Sequence, residues 1–218
     1  MLVNFRYRRA VDDCPRRYVS PVRAEQAERT RARILDAAAG LFLERGYGAT
    51  TLRGIADAAG VAVPTVTAAF GNKPGLVRAV VERAAFGAGY QQALAVMRGG
   101  LSPRERLRTV ATVARRVHEA SARYVGLLLA TTTAEPALQP VVDAVFARRR
   151  YGQGVVARAL AEAGLLRADL DADAALELML ALTDVAVWRA LVEVGGFPPD
   201  SYEEHLARLL AAAVLDRP

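Results

Sequence analysis

Two histidines, His118 and His205, and one cysteine, Cys14, are the side chains of this 218-residue sequence best suited to proton transfer, nucleophilic attack or metal ligation near neutral pH. Neither histidine has a nucleophile at a recognisable catalytic spacing, and the sequence holds no GxSxG elbow, no HExxH pair and no glycine-rich phosphate loop. Glu203, Glu204 and His205 are consecutive, so on a helix they diverge and make a poor metal site. A single cysteine forms no internal disulfide, and no Cys/His cluster has zinc-ligand spacing. Catalysis, a structural metal and a cofactor are therefore not expected.

Phosphate chemistry has more support. Residues 1–83 carry fourteen Arg or Lys against eight Asp or Glu, whereas residues 84–218 carry fifteen of each, so the whole formal charge of +6 lies in the first part of the chain. Cations concentrated in this way suit a module that displaces condensed counterions from a nucleic acid backbone. A solubilising basic tail would look the same by charge alone.

The elements that would position such a module centre on twenty residues, LRGIADAAGVAVPTVTAAFG, from Leu52 to Gly71. Leu52, Ile55, Ala56 and Ala59 recur at i, i+3, i+4 and i+7, one face of a short helix, and Val66, Ala69 and Phe70 define a second. Gly60 stands where the chain must turn sharply, at the cost of a positive φ that glycine tolerates. The small Ala56 lets the two helices approach, and Val66 closes the core between them. The spacing describes a helix-turn-helix; an ordinary αα-hairpin is the alternative.

From Thr30 to Val80 the sequence resembles the amino-terminal DNA-binding domain of the TetR family of transcriptional regulators. The resemblance rests on Ala37, Ala38, Leu41 and Phe42 in the first helix, the Gly46-Tyr47 turn, Thr50-Thr51 before Ile55-Ala56, Ala59-Gly60-Val61, Thr65-Val66, and Phe70 followed by Lys73 and Leu76. It implies an all-α fold, an amino-terminal three-helix helix-turn-helix domain plus a larger helical ligand-binding and dimerisation domain. It also implies a DNA-binding set of Thr51, Arg53, Thr65, Thr67 and Lys73, with backbone N–H groups at the start of the recognition helix open to phosphate. Three positions depart from the family pattern: Ala62 stands where Ser is common, Thr67 where Tyr is, and Ala69 where His or Tyr is. The first removes an N-cap; the others remove aromatic arms suited to phosphate.

Along the chain, residues 1–24 have no helical period and hold six arginines against Asp12 and Asp13, reading as a basic flexible arm able to touch DNA phosphate or a minor groove. Residues 25–74 form the helix-turn-helix domain and 75–218 the ligand-binding and dimerisation domain. The pattern predicts helices over 26–45, from Pro74 toward Met97, from Ser102-Pro103 past Val117, over 124–132, 141–163, 173–194 and 202–214. Ser102/Glu105 and Ser201/Glu204 read as capping boxes. No apolar run is long enough to span a membrane, so a soluble, cytoplasmic protein is expected.

In the second domain His118, Tyr124, Leu128, Thr131 and Trp188 are candidates to line a pocket, with plain core packing the alternative for each. Arg148, Arg149 and Arg150 point in three directions, and a solvated face is the default. The last two helices are apolar around much of their circumference (Leu176, Met179, Leu180, Thr183 and Val187, then Leu178, Leu182, Val185 and Leu191), which suggests a four-helix interface between two copies. The expected function is a homodimeric, sequence-specific DNA-binding repressor that leaves a double-stranded operator when a hydrophobic small-molecule effector binds. The alternative is an effector-independent DNA-binding dimer acting architecturally or through a protein partner.

Overall fold

The computed structural model describes residues 21–87, 90–92 and 100–216. Among these residues run α1 Pro21–Ala49, α2 Leu52–Ala59, α3 Val63–Phe70, α4 Lys73–Phe86, α5 Pro103–Thr132, α6 Gln139–Glu162, α7 Ala172–Leu182, α8 Val185–Trp188 and α9 Pro199–Val214. A 3₁₀ turn, Pro136–Leu138, precedes α6, and a π-helical stretch, Arg189–Val194, follows α8. Among the described residues extended pairing is limited to one isolated antiparallel bridge, Leu166 with Leu215. The all-α expectation holds.

Two apolar cores organise the chain. The first gathers Ile34, Ala38 and Phe42 of α1, Ile55 and Ala56 of α2, Val66 and Phe70 of α3, and Leu76, Val77, Val80 and Val81 of α4. Leu128 of α5 and Val141 and Val142 of α6 reach into the same core, so the head is packed directly onto the body. The second core joins Leu107, Val110 and Ala111 of α5 to Val156 and Leu160 of α6, Leu176 and Met179 of α7, Trp188, and Tyr202, Leu206, Leu210 and Val214 of α9.

Several boundaries differ from the sequence reading. α1 begins at Pro21, inside the segment expected to be a flexible arm; residues 1–20 of that arm lie outside the described residues. Proline at a helix start loses no hydrogen bond, and Glu25 pairs with Arg29 one turn on at 2.6 Å. Helical geometry in α1 breaks at Gly46 (φ 74°, ψ 171°), as its position suggested. The helix starting at Pro74 actually starts at Lys73 and ends at Phe86; the stretch toward Met97 is described only at residues 90–92, which are helical.

The helices expected on either side of residues 118–123 are one 30-residue α5. His118-Glu119-Ala120-Ser121-Ala122-Arg123 contains no breaker, and Arg115 bridges Glu119 at 3.0 Å across it. Its Ser102/Glu105 capping box forms, with the Ser102 N–H donating to Glu105 Oε2 at 2.8 Å. The box expected at Ser201/Glu204 does not, because α9 starts earlier, at Pro199. The single helix expected over 173–194 is broken at Thr183-Asp184. Asp184 has extended backbone (φ −69°, ψ 147°) and its carboxylate caps α8 by accepting from the Ala186 N–H at 2.9 Å.

Candidate functional site: a helix-turn-helix head and an apolar cavity

Thr51 is the N-cap of α2, its Oγ1 accepting from the Gly54 N–H at 3.0 Å. Its neighbour Thr50 is buried and structural: its hydroxyl lies 2.7 Å from the Gly46 carbonyl and 3.0 Å from that of Leu41, where α1 ends. Gly60 closes α2 in the left-handed region (φ 64°, ψ 42°), its N–H reaching the Ala56 and Asp57 carbonyls. Ala56 and Val66 are almost fully buried at the crossing. The anticipated geometry of the turn is therefore present.

α3 is held by contacts that the spacing did not show. Arg31 of α1 donates from Nη1 to the Ala69 carbonyl at 2.8 Å, and its guanidinium lies 4.2 Å from the Phe70 ring centroid. At the far end of the α3–α4 turn a Cβ on Gly75 would stand 2.1 Å from the Phe70 carbonyl oxygen, so only glycine admits this close approach. Asn72 caps α4, accepting from the Gly75 N–H at 2.9 Å.

The expected DNA-binding side chains all fall on this head. Thr51, Arg53, Thr65 and Thr67 are exposed, and Lys73 is half-buried. Lys73 is tethered: its Nζ sits 4.0 Å from the Tyr47 ring centroid and 3.4 Å from the Gly48 carbonyl. The Thr67 hydroxyl donates to the Val63 carbonyl at 3.2 Å, within its own helix. Ala62, at the N-cap of α3, supplies no side-chain cap. Of the first-turn amides, Pro64 has no N–H and that of Thr65 is already bonded to the Ala62 carbonyl at 2.9 Å, which narrows the backbone donors expected there.

The body carries a partly open apolar cavity of about 100 Å³. Val110, Ala114, Val117, Ser121 and Val125 of α5 form one wall, a single helical stripe. Val145, Phe146, Arg149 and Gln153 of α6, the break at Thr183-Asp184, and Ala85 and Phe86 of α4 complete it. Of the five pocket candidates, His118 alone lines this cavity. Leu128 lies farther along α5 in the core shared with the head, and Thr131 donates to the Leu127 carbonyl at 2.7 Å. Trp188 is core, edge-on to Tyr202 with ring centroids 4.9 Å apart, and Tyr124 packs against the first core.

One end of the cavity is polar. Arg149 binds Asp184 at 3.2 Å, the Thr183 hydroxyl at 2.9 Å and the Leu180 carbonyl. Gln153 donates to the same hydroxyl at 2.8 Å, and among the described residues its buried Oε1 has no partner. His118 Nε2 lies 3.1 Å from the Thr183 carbonyl, so that nitrogen carries the proton. Burial pushes the His118 pKa down to about 4, and the bond to Thr183 only partly opposes it, so the ring is neutral near pH 7. Burial likewise lowers the Arg149 pKa, against which Asp184 acts.

A solvated default fails for Arg149, though the three directions hold. Arg148 stacks 4.4 Å from the Phe86 centroid and Arg150 pairs with Glu177 at 2.5 Å. The available signal was Thr183-Asp184 before an apolar run, a helix-start pattern inside what read as one helix.

The chain thus combines a helix-turn-helix head, packed through a linking helix, with a larger helical body that carries an apolar cavity. Residues 34–80 match the family described as bacterial regulatory proteins, tetR family. It is 47% identical over 53 residues to the HTH-type transcriptional repressor ComR of Escherichia coli, an alignment covering 24% of this chain and 25% of that protein. The chain thus matches about a quarter of the length of that curated relative. Similarity of fold extends further. NalD of Pseudomonas aeruginosa, the secondary repressor of the MexAB-OprM multidrug efflux pump, superposes with a TM-score of 0.68 at 23% identity, over 87% of this chain and 98% of that one. The fatty acid degradation regulator FadR of Bacillus halodurans gives 0.67 at 20% identity, over 83% and 94%. Among the described residues no helix is long and apolar enough to cross a membrane.

Proposed function

We propose that the chain is a cytoplasmic, homodimeric repressor that binds a double-stranded operator through residues 25–74 and releases it when residues 75–218 take up a neutral, mainly apolar small molecule. One observation carries this reading. α4 contributes Leu76, Val77, Val80 and Val81 to the core of the head, and Ala85 and Phe86, at its other end, to the cavity wall. A 14-residue helix is about 20 Å long and stiff, so a change of cavity shape moves the element on which α2 and α3 are packed. The cavity is smaller than the ~300–1,000 Å³ usual for drug-sized ligands. An effector of that size therefore binds only a widened geometry, which supplies the unequal affinity for two states that coupling requires.

The second copy is proposed to pack on the outer face of α6 and α7. Tyr151, Val155 and Leu178 are 73%, 40% and 37% exposed there, beside the Arg150–Glu177 pair that joins the two helices. The sequence reading placed this interface on the last two helices. In α9 Tyr202, Leu206, Leu210 and Val214 are buried within the chain's own second core, whereas Leu209 is 51% exposed. A two-fold dimer would read half-sites about 34–36 Å apart, or a multiple of that.

The test combines a thermal-shift screen of neutral apolar compounds with fluorescence anisotropy on duplex DNA from upstream of the gene. Compounds that raise Tm and also release DNA are expected. The small volume of the cavity favours the second reading, an effector-independent DNA-binding dimer, if no compound does both. A monomer at micromolar concentration, or a footprint without dyad symmetry, overturns the dimeric reading.

A further inference from the structure

The outward side of α3 is nearly devoid of groups that read a base edge by hydrogen bonding. Val66 and Phe70 are buried in the head and Ala69 is half-covered, which leaves Val63, Pro64, Thr65, Thr67 and Ala68 exposed. α3 contains no Arg, Lys, Asn, Gln, Asp or Glu, so it lacks every side chain that makes the bidentate or charged contacts distinguishing guanine, adenine and cytosine in the major groove. The Thr67 hydroxyl is turned back on the Val63 carbonyl at 3.2 Å, so its methyl is the part left free. Val63 and Thr67, and Pro64 and Ala68, are i, i+4 pairs and share one side of the helix. That side presents an isopropyl group, a pyrrolidine ring and two methyls.

A surface of this kind has one good partner in the major groove, the 5-methyl group of thymine. We propose that α3 specifies its operator by packing Val63, Pro64, Thr67 and Ala68 on thymine methyls, with phosphate contacts made from elsewhere on the head. This rests on the DNA-binding reading above and deepens it. Discrimination has two sources. A thymine methyl gains apolar contact, and a G·C pair in its place has its polar edge desolvated against carbon with no hydrogen bond in return. Val63 to Ala68 spans about 7.5 Å along the helix, against 3.4 Å per base step, so two or three successive base pairs are read in each half-site. Arg53, the only cation in α2 and α3, is exposed and serves as a backbone contact.

The experiment uses the full chain. Duplexes are selected from a random-sequence library, and the best is resynthesised with deoxyuridine replacing thymidine one position at a time. Affinity is expected to fall about fourfold per contacted methyl, at two or three positions in each half-site, and to stay level elsewhere. Val63→Ser, on an exposed site and checked for folding by circular dichroism, should abolish the thymidine/uridine ratio at one position and leave it intact at the others. Unchanged affinity after complete replacement by uridine overturns the proposal, as does a ratio indifferent to Val63→Ser. If no duplex is enriched above random DNA, the DNA-binding reading itself fails, and this inference with it.

Discussion

Arg31 of α1 and Ala69 of α3 are joined by a 2.8 Å hydrogen bond from guanidinium to backbone carbonyl, 38 residues apart in sequence. The same guanidinium covers the Phe70 ring, so one side chain fixes the last turn of α3 to the first helix of the head. The spacing within α2 and α3 carries no trace of this bond, because its target is a main-chain oxygen.

Arg31→Leu should therefore weaken both stability and DNA binding. Loss of a charge-assisted hydrogen bond and a cation–π contact corresponds to about 1–3 kcal/mol, read from urea unfolding. DNA affinity should drop in parallel across unrelated sequences, since positioning rather than base contact is lost. A variant of unaltered stability and affinity would show the contact to be idle.

His118 makes stability pH-dependent. Its folded pKa, about 4, lies below the ordinary value of 6.5, so between these values the unfolded chain binds the extra proton. Stability is fully present above pH 6.5 and is lost as pH falls toward 4, by about 3 kcal/mol in all. Urea midpoints measured from pH 7.5 to 4.5 should show this decline in the native protein and a flatter profile in His118→Gln. Equal slopes in the two would assign the pH dependence to other groups.

Thr67→Tyr should tighten binding to DNA of unrelated sequence, while removing the thymine preference at the base that the Thr67 methyl would contact. It replaces a hydroxyl folded back on Val63 by a longer arm at an exposed position, the arm that the resembled family commonly presents. Level or lower affinity in a gel-shift titration would mean that the helix docks too close to DNA for an aromatic side chain.

Residues 1–20 carry five arginines and two aspartates, and a chain lacking them keeps Pro21–Ala49. If this segment grips phosphate or the minor groove, the truncated chain should bind more weakly, and the slope of log affinity against log salt should fall by about 0.9 per lost contact. Unchanged slope and affinity would leave the segment without a part in binding.

The helix-turn-helix was legible because each of its determinants is local. Ala56, Gly60 and Val66 lie within eleven residues, and the steric demand of one tight turn between two short helices is written in their sizes and spacing. The all-helical class followed likewise from apolar periodicity, and the Ser102/Glu105 cap from residues three apart. What faces inward on a long helix was not legible where several arginines adjoin, since local sequence does not say which of Arg148, Arg149 and Arg150 meets a partner. Asp184 decided that, 35 residues away from Arg149, after the break at Thr183 had turned it and the Thr183 hydroxyl toward α6. The cavity and the choice of which face of α9 is buried belong to the same category. Both depend on how α4, α5, α6 and α9 are packed against one another, and a helix that is apolar on two sides carries no mark of which side its own chain will cover.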